Sequence, residues 1–231
     1  MNIFSKTTLT LTAFAVLTTL PALPASAQAA PFSFFGTGVD ASGIPLPSGT
    51  LGDPHYTLTT NPEGTSSQIQ VLTSAYGFPI VQNGWIGDSA TSAWIAPTND
   101  PFVGLKPGGL YDYQTTFDLT NFDPATASLS GSWAMDNYGT ILLNGVDTGN
   151  TWSSNNAYGT FAINSGFQSG LNTVDFMIVD DGSGTTGLRV DGVSGSANPV
   201  PEASTTVSFG LLLALGLGAA VVARRKRTIA A

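Results

Sequence analysis

The chain has 231 residues, no cysteine, one histidine and a formal net charge of −8. Without thiols there is no disulfide, so a folded body must be held by an apolar core. Between residues 28 and 200, Lys106 and Arg189 are the only cations against fourteen Asp and Glu, a balance of −12. Such a surface excludes nucleic acid and anionic lipid as partners, because both need Lys and Arg to displace counterions, and favours divalent cations.

In chain order, Lys6 supplies a positive start, residues 9–20 an apolar stretch, and Pro24-Ala25-Ser26-Ala27 a small-residue cleavage site. This is the pattern of a secretory signal peptide over 1–27, to be handled by the Sec translocon and signal peptidase. Its apolar stretch is short for a membrane helix and is closed by Pro21 and Pro24.

The next 170 or so residues suit one domain, predicted over 28–193. Leu110 to Leu119 alternates, placing Tyr111, Tyr113, Thr115, Phe117 and Leu119 on one face, the period-2 pattern of a half-buried strand. Residues 127–133 and 174–178 repeat it, and no helical stripe is comparable. Asn144-Gly145, between Leu142-Leu143 and Val146-Asp147, predicts a two-residue hairpin, since both residues accept the positive φ of a type I′ turn. Asn83-Gly84, Asp181-Gly182 and Asp191-Gly192 mark further turns, and the Gly- and Ser-rich residues 194–199 read as a linker. Strands of this length and spacing predict an all-β body, an antiparallel β-sandwich or jelly roll.

The run Gly131-Ser132-Trp133-Ala134-Met135-Asp136-Asn137-Tyr138 to Gly145, with Leu171-Asn172-Thr173-Val174-Asp175-Phe176 and Thr186 to Val190, resembles galactose-binding-like sandwiches of exported bacterial proteins. The resemblance covers residues 110–195 and implies a fold. That fold hosts lectins, enzyme accessory modules and structural domains alike, so it implies no ligand.

Chemistry for catalysis is sparse, and the body reads as no enzyme. His55 is the lone histidine, Glu63 the only glutamate before residue 200, and neither a Gly-x-Ser-x-Gly elbow nor a His-Glu-x-x-His pair occurs. A glycoside hydrolase would have to work with aspartates alone. His55, within Gly52-Asp53-Pro54-His55-Tyr56, reads as structural. Asp136, Asn137, Asp180 and Asp181 group oxygen donors beside Gly, either as a structural calcium site or as ordinary turn residues. Trp133 alternates into the core. Trp152, in the polar stretch 149–158, either offers a face on which sugars stack or folds back as a lid. With Tyr158, Asn155 and Asn156 it forms the candidate glycan-binding set.

The C-terminal segment has three parts. Val200-Pro201-Glu202-Ala203-Ser204 precedes seventeen uncharged residues, 207–223, which as a helix would span about 25 Å, enough for one crossing. Arg224, Arg225, Lys226 and Arg227 follow and would hold the C-terminus in the cytoplasm, leaving the body outside. This order, over 200–227, resembles the PEP-CTERM sorting signal of Gram-negative bacteria that make exopolysaccharide, with Ala203 in place of the second proline of the motif Pro201-Glu202-Ala203. The resemblance implies recognition by exosortase, a membrane-embedded cysteine protease that cleaves near the motif. It also implies an inner-membrane precursor and a mature protein at the cell surface or in the extracellular matrix. A non-catalytic binding or structural module is then expected, with exopolysaccharide as a partner and a dedicated carbohydrate-binding module as the alternative. The same apolar run also allows an uncut tail anchor.

Overall fold

The computed structural model of the chain describes residues 28–62, 64, 68–76, 80–82, 84–97, 107–182 and 184–200. The signal peptide 1–27, the sorting residues 201–227 and Lys106 lie outside the described residues. Among the described residues no helix is long and apolar enough to cross a membrane.

Among the described residues eleven strands form two antiparallel sheets. One holds β3 (Ile69–Leu72), β4 (Trp94–Pro97), β11 (Gly187–Pro199), β6 (Phe122–Asp136) and β9 (Gly159–Ile163) in that order, with β1 (Ala30–Pro31) paired to the end of β11. The other holds β2 (Thr57–Thr60), β5 (Gly109–Asp118), β10 (Leu171–Asp180), β7 (Tyr138–Leu143) and β8 (Val146–Trp152). A single 3-10 turn, Ser74–Tyr76, is the only other regular element among the described residues.

Alternation explains the layering. On β5, Tyr111, Tyr113, Thr115 and Phe117 are buried while their neighbours face outward, and Leu119 is buried just beyond the strand. They meet Val174, Phe176 and Ile178 of β10 on the same face, opposite Leu129, Trp133 and Met135 of β6. Phe176 ties the layers together, with its ring 5.8 Å from Trp133 and 6.0 Å from Phe161. Aromatic pairs at this separation add to the burial of their area.

The sheet containing β6 is covered on its second face too, which the period-2 pattern did not predict. Trp85 and Trp94, with ring centroids 4.4 Å apart, pack with Leu72, Ile80, Ala96 and Ala134 in a separate cluster. Consequently β3 and β4 are buried at every residue.

The Asn144-Gly145 turn forms as expected, with φ of 51° and 77°. Two other expectations are corrected. Asp191-Gly192 is no chain reversal: Gly192 has φ 57° at a bulge within β11, between the pairs Asp191↔Ser132 and Ser194↔Ser130. Residues 194–199 are no linker either, because they form the end of β11, pairing with both β6 and β1. Ala197 is fully buried, and a Cβ on Gly195 would stand 2.3 Å from the Phe32 ring. The small residues there admit an aromatic side chain. The paired body continues to Val200, whose N–H donates to the Asn121 carbonyl at 2.9 Å.

Candidate functional site

Trp152 ends β8 opposite Gly139, a position facing the core, where a Cβ would meet Ile178 and Trp133. The indole therefore points into the open edge between the sheets and lies over Gly159 of β9, whose missing Cβ would be 2.4 Å from the ring. Its Nε1–H donates to the Ala157 carbonyl at 3.1 Å. At 37% exposure the outward face remains in solvent. Trp152 is thus a lid on one side and an available stacking face on the other.

Tyr158 does not share that surface. It packs against the Trp85–Trp94 cluster on the far side of β9, its hydroxyl donates to the Asp191 carboxylate at 3.2 Å, and Arg189 lies 5.9 Å from its ring centre. Asn156 is exposed and accepts from the Ser154 hydroxyl at 2.8 Å. The Asn155 carbonyl accepts from the Ile86 N–H at 2.8 Å, and its side chain bonds the Asp136 carboxyl. Tyr158 and Asn155 are therefore turned toward the Trp85–Trp94 cluster and Asp136, away from the exposed face of Trp152.

The acidic set does come together, at one pole of the sandwich. Asp136 ends β6 and Asp180 ends β10. Asn137 Oδ1 accepts from the Asp181 N–H at 3.0 Å, Asp180 accepts from the Gly182 N–H at 2.7 Å, and the Thr186 hydroxyl donates to the Asp136 carbonyl at 2.8 Å. Burial pushes Asp180 up to about 6 against the pull of the Gly182 N–H, with the nearby Asp136 and Asp181 charges adding to the rise. Burial also raises Asp136, opposed by Asn155 and by the Trp85 indole N–H, which faces that carboxyl without reaching full hydrogen-bond geometry. Among the described residues no three acidic or histidine side chains converge to hold a metal ion. As placed, these residues form a corner in which burial favours the protonated form of Asp180.

His55 stacks on Phe35 with ring centroids 3.8 Å apart, and its Nε2 is 3.0 Å from the Asp40 carbonyl. The adjacent Asp53 accepts backbone N–H groups from Gly38, His55 and Tyr56, while burial raises its pKa above the ordinary carboxylate value. Histidine and carboxylate together fasten the turn before β2.

Sequence reasoning missed a cleft on the Trp152 edge. Asn150 bridges β8 and β9 like a short strand: its Nδ2 donates to the Ala162 carbonyl and its Oδ1 accepts the Ala162 N–H, both at 3.2 Å. Beyond it the edge opens into a cavity of about 330 Å³, with the buried Leu143 and Ile163 at its floor and Val146, Thr148, Asn164 and Ser165 at its rim. An apolar floor with a few converging polar groups is the usual composition of a small-ligand site. The only local signal was Val146, an apolar residue directly after the hairpin turn. Equally invisible was the outer face of the β5–β10 pair. There Gln114 donates to Asp175 at 2.8 Å and the Thr59 hydroxyl donates to Asp112, whose pKa burial raises.

No family model and no curated protein matches the chain. Solved structures similar to it include a family 35 carbohydrate-binding module from Paenibacillus barcinonensis, 17% identical over 65% of this chain and 100% of that one, with a TM-score of 0.33. A family 29 module complexed with cellulohexaose is 14% identical over 63% and 94%, with a TM-score of 0.33. The family 36 domain of a multidomain xylanase from the hindgut metagenome of Trinervitermes trinervoides is 12% identical over 51% and 86%, with a TM-score of 0.30. Identity and score are low throughout.

Proposed function

We propose that the chain is an exported surface or matrix protein of an exopolysaccharide-producing Gram-negative bacterium, and that its body is a non-catalytic sandwich that binds polysaccharide along the β8–β9 edge. The observation carrying the binding reading is the continuity of that edge. The exposed face of Trp152 lies at one end, and a cleft with an apolar floor and a hydroxyl and amide rim lies at the other. Sugars present apolar ring faces and hydroxyls, which suits an indole beside amide and hydroxyl groups. The engagement of His55 and Asp53 in fastening a turn supports the non-catalytic reading. Export and exosortase sorting rest on the order of Pro201-Glu202, residues 207–223 and the basic cluster from Arg224 to Arg227.

A glycan array on the exported chain tests the body. Selective binding weakened by Trp152→Ala and by Asn164→Ala, the latter on the exposed rim, is the expected result, with thermal unfolding as the control for fold. A folded chain that binds no glycan would leave the body as a structural matrix component. Replacing Pro201 and Glu202 by Ala tests sorting. The altered chain is expected to keep its tail by mass and to stay in the inner membrane, and normal processing would remove the sorting assignment.

A further inference from the structure

The two ends of the sandwich differ in how close they stand to the apolar run. Asn198 and Pro199 pair with Asp123 and Phe122 at the start of β6, and Val200, the residue before Pro201, is held by Asn121. Only residues 201–206 separate Val200 from the run at 207–223. Fully extended, six residues reach about 20 Å, of which crossing the headgroup layer takes roughly 5–8 Å. The fifteen residues of β6, by contrast, rise about 45–50 Å from this pole to the one holding Asp136. The N-terminal end leaves from the same pole, since Ala30 pairs with Ala197, and nine residues separate it from the apolar stretch ending at Leu20.

The same pole also exposes apolar side chains, as the opposite one does with Tyr138 and Trp152. Leu171 is 61% and Val200 53% exposed, next to a cavity of about 380 Å³ lined by Phe122, Pro124, Ser169 and Pro199. Its charges, Asp118 and Asp123, are exposed carboxylates that oppose anionic headgroups, so contact depends on the tether and on apolar surface.

We infer that in the uncut, membrane-held precursor the body stands on the outer face of the inner membrane by its Val200 pole, with the Asp136–Asp180 corner and the Trp152 end of the sugar-binding edge turned away from the lipid. This orientation rests on the proposed membrane span over residues 207–223. It turns the stacking indole away from the inner membrane and keeps Leu171 and Val200 against the headgroups.

The absence of cysteine allows single labels. Ser169→Cys at the Val200 pole and Asn156→Cys at the opposite one are introduced separately into the full chain. Each is labelled with a fluorophore and reconstituted into phosphatidylcholine vesicles carrying a headgroup spin label. The chain is expected to float with the vesicles, and the label at position 169 to be quenched several-fold more than that at 156. A spacer of twenty Gly and Ser residues after Val200, with a mean reach of about 25 Å, is expected to reduce that difference. Flotation with equal quenching, or with stronger quenching at 156, overturns the orientation while leaving the span. Failure to float overturns both.

Discussion

Asp180→Asn tests the electrostatics of the acidic pole. Asp180 is 3% exposed, and its carboxyl is raised from 3.8 to about 6, first by burial and then by Asp136 and Asp181. A rise of that size corresponds to about 3 kcal/mol at ~1.36 kcal/mol per unit. Of the charges facing it, Asp181 is exposed and Asp136 half-buried, so solvent screening reduces the figure to about 1–2 kcal/mol. The sign follows from the raised folded-state pKa. The stabilising contribution is complete below the unfolded value of about 4 and is lost as pH rises through about 6. Urea unfolding is therefore expected to show Asp180→Asn more stable than the unaltered chain by about 1–2 kcal/mol near pH 7.5, and equal to it near pH 4. Asparagine keeps the oxygen that accepts the Gly182 N–H. A variant less stable at neutral pH, or a difference independent of pH, would refute the argument. Repeating the titration with calcium and with chelator separates the competing case, because an ion held at this corner would make the unaltered chain the more stable one in calcium.

Arg189 is fully buried and donates to the Ser92 hydroxyl at 2.9 Å, the Ser92 carbonyl at 3.0 Å and the Gly87 carbonyl at 2.5 Å. Arg189→Lys cannot reproduce that planar fork and is expected to cost about 2–4 kcal/mol in denaturant unfolding; a loss below ~1 kcal/mol would mean that water replaces the fork. Gly159→Ala places a methyl group where the Trp152 ring lies, and a loss of about 1–3 kcal/mol is expected, whereas unchanged stability would show the indole to be free. The same assay on Gly195→Ala distinguishes strand from linker, since a methyl group against Phe32 should cost about 1–3 kcal/mol and a linker would tolerate it. For Asn150→Ala, which removes both bonds to Ala162, about 1–2 kcal/mol is expected; no change would mean the β8–β9 edge needs no bridge.

Much of the sandwich was legible because its signals are local. The alternation from Tyr111 to Leu119, the buried Trp133 and the Asn144-Gly145 hairpin each depend on a strand's two-sided geometry or on the φ preference of two residues. The linker reading failed for a tertiary reason. Gly and Ser at 194–196 signify flexibility when nothing covers them, and here the Phe32 ring does, brought from more than 160 residues away. The placement of Tyr158 was hidden for a similar reason, since its polar neighbours concealed a destination against Trp85 and Trp94. Neither the cleft nor the Asn150 bridge had a usable signal, because each is a relation between β8 and β9 across the sandwich edge.

By itself, the sequence determined the strand content, the residues facing the core, the acidity of the surface and the proposed address written in the two terminal segments. These follow from periodicity, composition and short motifs, which need no partner elsewhere in the chain. Only the tertiary structure decided that Asp136 and Asp180 share a pole, that Asn155 touches Asp136, and that Trp152 turns one face to Gly159 and the other to solvent. Register and sheet packing set those proximities, and both arise when strands distant in sequence bury a common apolar face.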